Sequence, residues 1–201
     1  MRITYKINRN SYNKIAKQWA EERKKLNKLV IEFASKIKPY GKILDIGCGT
    51  GYPITKYLSD NGFSIIGIDI SENMLQKVNE KDIKNAVFYL CDFFRHKPNE
   101  IYDGIIAYDS FFHFPKEKQN KIYKKLSNWL NIGGYILFTH GKENNEIKGN
   151  MFGKIFYYSS LGTKEVHKLL IESGFEIVLS IENYKEENIE NDLIIIAKKI
   201  K

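Results

Sequence analysis

The chain is poor in several residue types, and each scarcity narrows what it can be. Cys48 and Cys91 are its only cysteines, too few for a disulfide framework and without metal-ligand spacing around them. Free thiols in a reducing compartment are therefore expected, with no structural metal. No apolar run approaches the roughly 20 residues of a membrane helix, and the polar start Met1 to Lys6 lacks the apolar stretch of a signal peptide. A soluble, cytoplasmic protein without a membrane partner is the expectation. Arginine is scarce as well: of 32 basic residues only Arg2, Arg9, Arg23 and Arg95 are arginine. The net charge of +8 invites a nucleic-acid partner. Arginine, however, is the better fork for phosphates and base edges, and lysines such as Lys124, Lys125, Lys198 and Lys199 are scattered over presumed solvent faces. A solvated lysine surface is favoured over nucleic-acid binding.

What is present reads as one α/β domain. A chain of 201 residues can bury a substantial core without a second independent domain. Between residues 10 and 37, Ile15, Trp19, Leu26, Leu29, Val30 and Phe33 recur at mostly helical spacing before Pro39, which predicts one long helix or two short ones. From residue 42 short apolar runs alternate with helical segments: KILDI, a helix near 51–60, SIIGID, a helix near 71–79, and AVFYLCD. YDGIIAY, a helix near 116–130, GGYILFT, a helix near 163–173, FEIVLSIE and DLIIIAKK follow. Alternation of this kind implies βαβ units and a mainly parallel seven-stranded sheet covered on both faces. The last two runs lack a helix between them, so they are expected to pair as a hairpin with an antiparallel edge strand. Residues 140–162 form the one long connection without clear periodicity, and such loops are usually functional.

Chemistry concentrates at the carboxyl ends of the first strands. Leu44-Asp45-Ile46-Gly47-Cys48-Gly49-Thr50-Gly51 places three glycines in a strand-to-helix turn, where backbone can approach a ligand and helix N–H groups can meet a carboxylate. A dinucleotide fingerprint needs its third glycine where Tyr52 stands, and no Lys-Ser/Thr pair follows to cradle phosphates. The spacing suits a cofactor with an amino-acid end and no pyrophosphate. Asp69, ending the second strand, can accept both hydroxyls of a ribose. Asp92 can accept from an adenine amino group, and Phe93 can lie on its face.

These motifs resemble the class I S-adenosylmethionine-dependent methyltransferases. LDIGCGTG is similar to the family's first motif, GIDIS to its ribose-binding acidic motif and LCDF to its adenine-binding motif, and the likeness runs from Gly41 to Lys199. The resemblance implies a Rossmann-like sheet in the order 3-2-1-4-5-7-6, the last strand inserted antiparallel. YNKIAKQWAEER is similar to the family's cap segment, giving a helical cap over residues 1–40, an α/β core over 41–201 and a substrate loop over 140–162. By position, Asp45, Gly47, Cys48, Gly49 and Gly51 belong to the methionine end, Asp69 to ribose, Ile70 and Met74 to the flanks of adenine, Asp92 and Phe93 to the adenine site, and Tyr108 to the methionyl portion. The departure is Tyr52-Pro53, where smaller residues are frequent.

The implied activity is methyl transfer from S-adenosylmethionine, leaving S-adenosylhomocysteine, to a nitrogen or oxygen of a small-molecule acceptor. Aromatic faces suit a sulfonium cation, and Tyr12, Trp19, Phe112, Tyr157 and Tyr158 are the expected acceptor-pocket wall, with Phe111, Phe152 and Phe156 nearby in sequence. His113 is the candidate to meet the acceptor's proton, with His140, Tyr157 and Tyr158 as alternatives. After the fourth strand stands Tyr108-Asp109-Ser110-Phe111, not the Asp/Asn-Pro-Pro-aromatic run expected for base-nitrogen methylation. The rival readings are an RNA methyltransferase, a nicotinamide-dependent oxidoreductase and a non-catalytic cofactor-binding module. Oligomeric state is not legible.

Overall fold

A computed structural model describes residues 3–79, 83–187 and 189–201. Met1 and Arg2 of the polar start and Asn188 of the last connection lie outside the described residues. The amino-terminal periodicity resolves into two helices, α1 (Ile3–Glu22) and α2 (Lys28–Ser35). The first begins well before residue 10, because the buried Tyr5 and Asn8 continue the stripe of half-buried Tyr12 and Trp19 and buried Ile15. Asn27 separates the two: its Oδ1 accepts from the Leu29 backbone N–H at 2.7 Å and caps α2.

The core alternates β1 (Lys42–Ile46), α3 (Ile54–Asp60), β2 (Ser64–Asp69), α4 (Glu72–Asn79), β3 (Ala86–Leu90) and β4 (Tyr102–Ala107). After β4 come a short 3-10 turn at Phe111–His113, α5 (Lys116–Gln119), α6 (Ile122–Trp129) and β5 (Leu130–His140). The single helix expected near 116–130 is thus two. Then follow β6 (Asn145–Met151), β7 (Lys154–Ser160), α7 (Thr163–Glu172), β8 (Phe175–Glu186) and β9 (Ile189–Lys199). The main sheet has the order β3-β2-β1-β4-β5-β9-β8, the predicted order once the extra hairpin is counted. Strands β3 to β5 are mutually parallel, and β9 is antiparallel to both β5 and β8. The reversed strand is therefore the inner one, and the edge strand β8 runs with the rest, which corrects the expectation of an antiparallel edge. No helix among the described residues is long and apolar enough to cross a membrane.

Period-two alternation divides the core between the two faces of the sheet. Ile43, Ile106, Ile194 and Ile196 pack with Val30 and Phe33 of α2, while Leu44, Ile105, Ile195 and Phe138 pack with Leu126 of α6 and Leu170 of α7. Stretch 140–162 is not the structureless loop expected. Its Phe152-Gly153 pair takes φ of 52° and 71°, the left-handed pair of a two-residue hairpin turn, and β6 and β7 form a separate two-stranded sheet. The turn carries Phe where Asn is the common signal, so its chemistry was hidden. This hairpin packs on α1: Ile15, Ala16, Met74 and Phe156 form a third apolar cluster, with Tyr12, Trp19 and Tyr158 against it.

Candidate active site

Under α1, at the carboxyl ends of β1, β2 and β4, lies a cleft of about 940 Å³ including its open mouth. Its floor is the turn after β1. Gly47 has φ of 73°, and a Cβ there would come within 2.6 Å of Ser110 Cβ; Gly49 has φ of 57°, and a Cβ there would face Trp19. Both positions therefore favour glycine, and both line the cleft. The turn is tied to β2, since the Gly47 and Cys48 N–H groups donate to the Ile68 carbonyl at 2.8 and 3.2 Å.

Two carboxylates face this turn. Asp69 at the end of β2 accepts from Gly49 N at 2.9 Å and Ser71 N at 2.7 Å. Burial raises its pKa, opposed by the N–H groups of Ser71, Gly49 and Ile70. Asp45 accepts from Thr55 Oγ1 at 2.6 Å, and burial pushes its carboxyl up to about 7, against the Thr55 bond and reinforced by the charge of Asp69. Desolvated carboxylates gain from a cationic visitor. Burial and the charges of both acids push the Cys48 thiol up, which makes it a poor nucleophile.

Ile70, Met74, Phe93 and Tyr108 also line the cleft. Phe93 is 2% exposed and stacks on Phe114 at 5.1 Å, so most of its ring belongs to the core. The Tyr108 hydroxyl donates to Asn191 Oδ1 at 2.7 Å and accepts from Asn27 Nδ2 at 2.8 Å, tying α2 and β9 to β4. Two expected cofactor residues stand elsewhere. Gly51 is outside the lining, and a Cβ there would meet Ile83 at 2.6 Å, so its smallness serves packing. Asp92 is outside it too, accepting from Phe94 N at 2.8 Å and from the Tyr5 hydroxyl at 3.3 Å.

A second cavity of about 1660 Å³, mouth included, adjoins the first under the hairpin, and Tyr12, Trp19, Arg23, Asp109 and His113 line both. Phe112 and Tyr158 line the second alone. Tyr157 lines neither: its hydroxyl donates to Glu146, so its expected place in the pocket wall is corrected. Arg23 ion-pairs with Asp109 and lies over the Trp19 and Tyr108 rings at 5.1 and 5.6 Å.

His113 is buried with both ring nitrogens engaged. Nδ1 is 3.0 Å from the Tyr157 carbonyl, which can only accept, so Nδ1 carries the proton. Nε2 then accepts from the Tyr12 hydroxyl at 2.7 Å. Burial lowers its pKa to about 4, against the Tyr157 bond, so the ring is neutral. The nitrogen expected to meet an acceptor's proton is taken by Tyr12, and His113 is placed as a strut between α1 and β7. Asn8 is the second strut: its Nδ2 donates to the Tyr157 carbonyl at 2.9 Å, and its Oδ1 accepts from Tyr157 N at 2.8 Å.

Asn8, Arg23 and Asp109 were missed as site residues. Arg23 continues the Tyr12 and Trp19 face of α1 at helical spacing, a signal that was available. Asp109, at φ 53°, and Asn8 carry no such mark.

The methyltransferase-domain family model matches residues 43–134. A phosphoethanolamine N-methyltransferase of Plasmodium falciparum is 29% identical over 146 residues, covering 69% of this chain and 55% of that protein. A malonyl-[acyl-carrier protein] O-methyltransferase of Bacillus anthracis is 38% identical over 107 residues, covering 51% and 38%. The chain thus spans about half or less of the length of these relatives. Among solved structures, the Burkholderia thailandensis 1,6-didemethyltoxoflavin-N1-methyltransferase, with that substrate and S-adenosylhomocysteine bound, superposes with a TM-score of 0.72 at 15% identity, covering 96% of this chain and 85% of that one. At that identity the likeness is one of fold.

Proposed function

We propose that the chain, whose residues 43–134 match the methyltransferase-domain family, transfers a methyl group from S-adenosylmethionine to a small-molecule acceptor. The observation that carries the reading is the pair of adjoining cavities: one built on the glycine turn and Asp69, the other aromatic and polar, with five shared lining residues. The residues present fit the cofactor. Gly47 and Gly49 leave room a Cβ would fill, Asp69 and Asp45 favour positive charge, and Tyr12 and Trp19 offer faces to a sulfonium.

When bound, S-adenosylmethionine supplies an electrophilic methyl group on a sulfonium, and the chain's own part is alignment and exclusion of water. Asp69 would hold ribose with lone pairs its two backbone bonds leave over. Ile70, Met74 and Phe93 would flank adenine, and Asp45 and Cys48 would lie at the methionine end with Gly47 and Gly49. Residues 1–40 act as the cap, and residues 140–162 close the acceptor side as a packed hairpin. His113 acts as a positioning residue that sets the Tyr12 hydroxyl. The second cavity mixes Arg23, Lys142 and Lys185 with Asp109, Glu143, Glu190 and Asp192, which supports a small polar acceptor over an RNA backbone. The free thiols Cys48 and Cys91 go with a cytoplasmic, reducing location. Incubation with methyl-labelled S-adenosylmethionine and a small-molecule extract, followed by mass spectrometry, tests the reading. A labelled metabolite is expected; cofactor binding without any labelled product would replace it with a non-catalytic cofactor-binding module.

A further inference from the structure

The buried polar side chains in the wall of the second cavity are satisfied, with one exception. Thr139 Oγ1 accepts from Asp109 N at 2.7 Å, Ser159 Oγ donates to the Phe114 carbonyl at 2.5 Å, and Ser160 Oγ donates to the Glu143 carbonyl at 2.5 Å. His113 has both nitrogens engaged. His140, the last residue of β5, is 1% exposed and packs edge-on to Phe138. Its Nδ1 lies 2.8 Å from the Gly141 carbonyl, so Nδ1 carries the proton and Nε2 keeps a lone pair. That lone pair has no partner among the described residues, although the atom is buried and His140 lines the cavity. Buried polar groups are nearly always paired, and an exception in a ligand-sized cavity marks a place for a ligand atom.

We propose that His140 Nε2 anchors the methyl acceptor, taking a hydrogen bond from an N–H or O–H group of that molecule. The proposal rests on the methyl-transfer reading and narrows its substrate class. Burial pushes the His140 pKa down to about 4, against the Gly141 bond, so at neutral pH the ring has no second proton to give. An amine, amide or hydroxyl can donate to such an atom. An ionised carboxylate, which brings only lone pairs, cannot. The same logic separates the two histidines: His113 Nε2 holds Tyr12, whereas His140 Nε2 is reserved for the substrate.

The test compares two substitutions in the full chain, with tritiated S-adenosylmethionine and the small-molecule fraction of a cell lysate as probes. His140→Phe keeps a ring against Phe138 but no acceptor atom; His140→Gln keeps an accepting oxygen but no ring; both lose the Gly141 bond. The expected result is a loss of at least about tenfold in labelling for His140→Phe, the scale of one buried hydrogen bond. His140→Gln should recover most of that loss, with S-adenosylhomocysteine affinity unchanged in both. Phe equal to or better than Gln would reveal a packing role and overturn the proposal while leaving methyl transfer intact. A wild-type chain that binds S-adenosylhomocysteine yet labels nothing overturns both. Should His140→Phe fail to fold, nitrogen NMR of histidine-labelled wild type decides: Nε2 is expected unprotonated, and a proton on Nε2 would overturn the assignment.

Discussion

The two halves of the site are built by different means. The proposed cofactor side is made mainly by the backbone of the turn after β1, with its left-handed glycines, and by Asp69, fixed by two N–H groups. The proposed acceptor side is made by side chains from α1, β5, the β6–β7 hairpin and the ends of β8 and β9, brought together only by the fold. Local geometry can be preserved by a few residues, so a cradle of the first kind is readable. A wall of the second kind can change one substitution at a time while the sheet stays the same.

Substitutions can break that contrast. The largest effect is expected at Phe111, fully buried between Phe93, Phe114 and Phe138, where Phe111→Ala should cost about 3–5 kcal/mol in denaturant unfolding. Its neighbour Phe112 faces the acceptor cavity, so Phe112→Ala should cost well under about 1 kcal/mol of stability yet lower methyl transfer. Similar stability losses at both would refute the placement of Phe112 in the wall.

A second prediction concerns charge on the cofactor side. The Asp45 carboxyl is raised by burial to about 7, above its unfolded value, so folding favours its protonated form. Stability from this group is present at low pH and is lost as pH rises through about 7. Between pH 5 and 8 the cofactor-free protein should lose stability on the order of 2–3 kcal/mol, a loss absent in Asp45→Asn. S-adenosylmethionine, with one more positive charge than S-adenosylhomocysteine, should gain affinity relative to it over the same range. An equal pH slope in wild type and Asp45→Asn would remove Asp45 as the source.

A third, smaller effect joins the halves. Asn8, 1% exposed, bonds both the N–H and the carbonyl of Tyr157, so Asn8→Ala should cost about 1–3 kcal/mol and speed amide exchange in β7 and α1 together. Faster exchange in only one of them would show that Asn8 does not couple cap and hairpin.

The same contrast explains what was legible beforehand. Strand positions, sheet order and the Gly47, Gly49 and Asp69 cradle are written in local patterns: short apolar runs, a glycine-rich turn, an acid at a strand end. Gly51 and Asp92 lie in the same motifs, but Ile83 and Tyr5 draw them toward packing and support, and pattern alone cannot show a neighbour 32 or 87 residues away. The hairpin at 140–162 was hidden because Phe152 occupies a turn position usually given to Asn. His113 looked open because its partners, Tyr12 and Tyr157, come from segments 101 and 44 residues distant.

The central claim is that the cleft over the β1 turn is an S-adenosylmethionine site held in part by Asp69. Calorimetric titration of wild type and Asp69→Ala with S-adenosylhomocysteine tests it most directly. The account predicts one-to-one binding by wild type and a loss of roughly 1.5–3 kcal/mol in the variant, the scale of hydrogen bonds to a charged group. Wild type without measurable binding, or equal affinity in the two proteins, would contradict it.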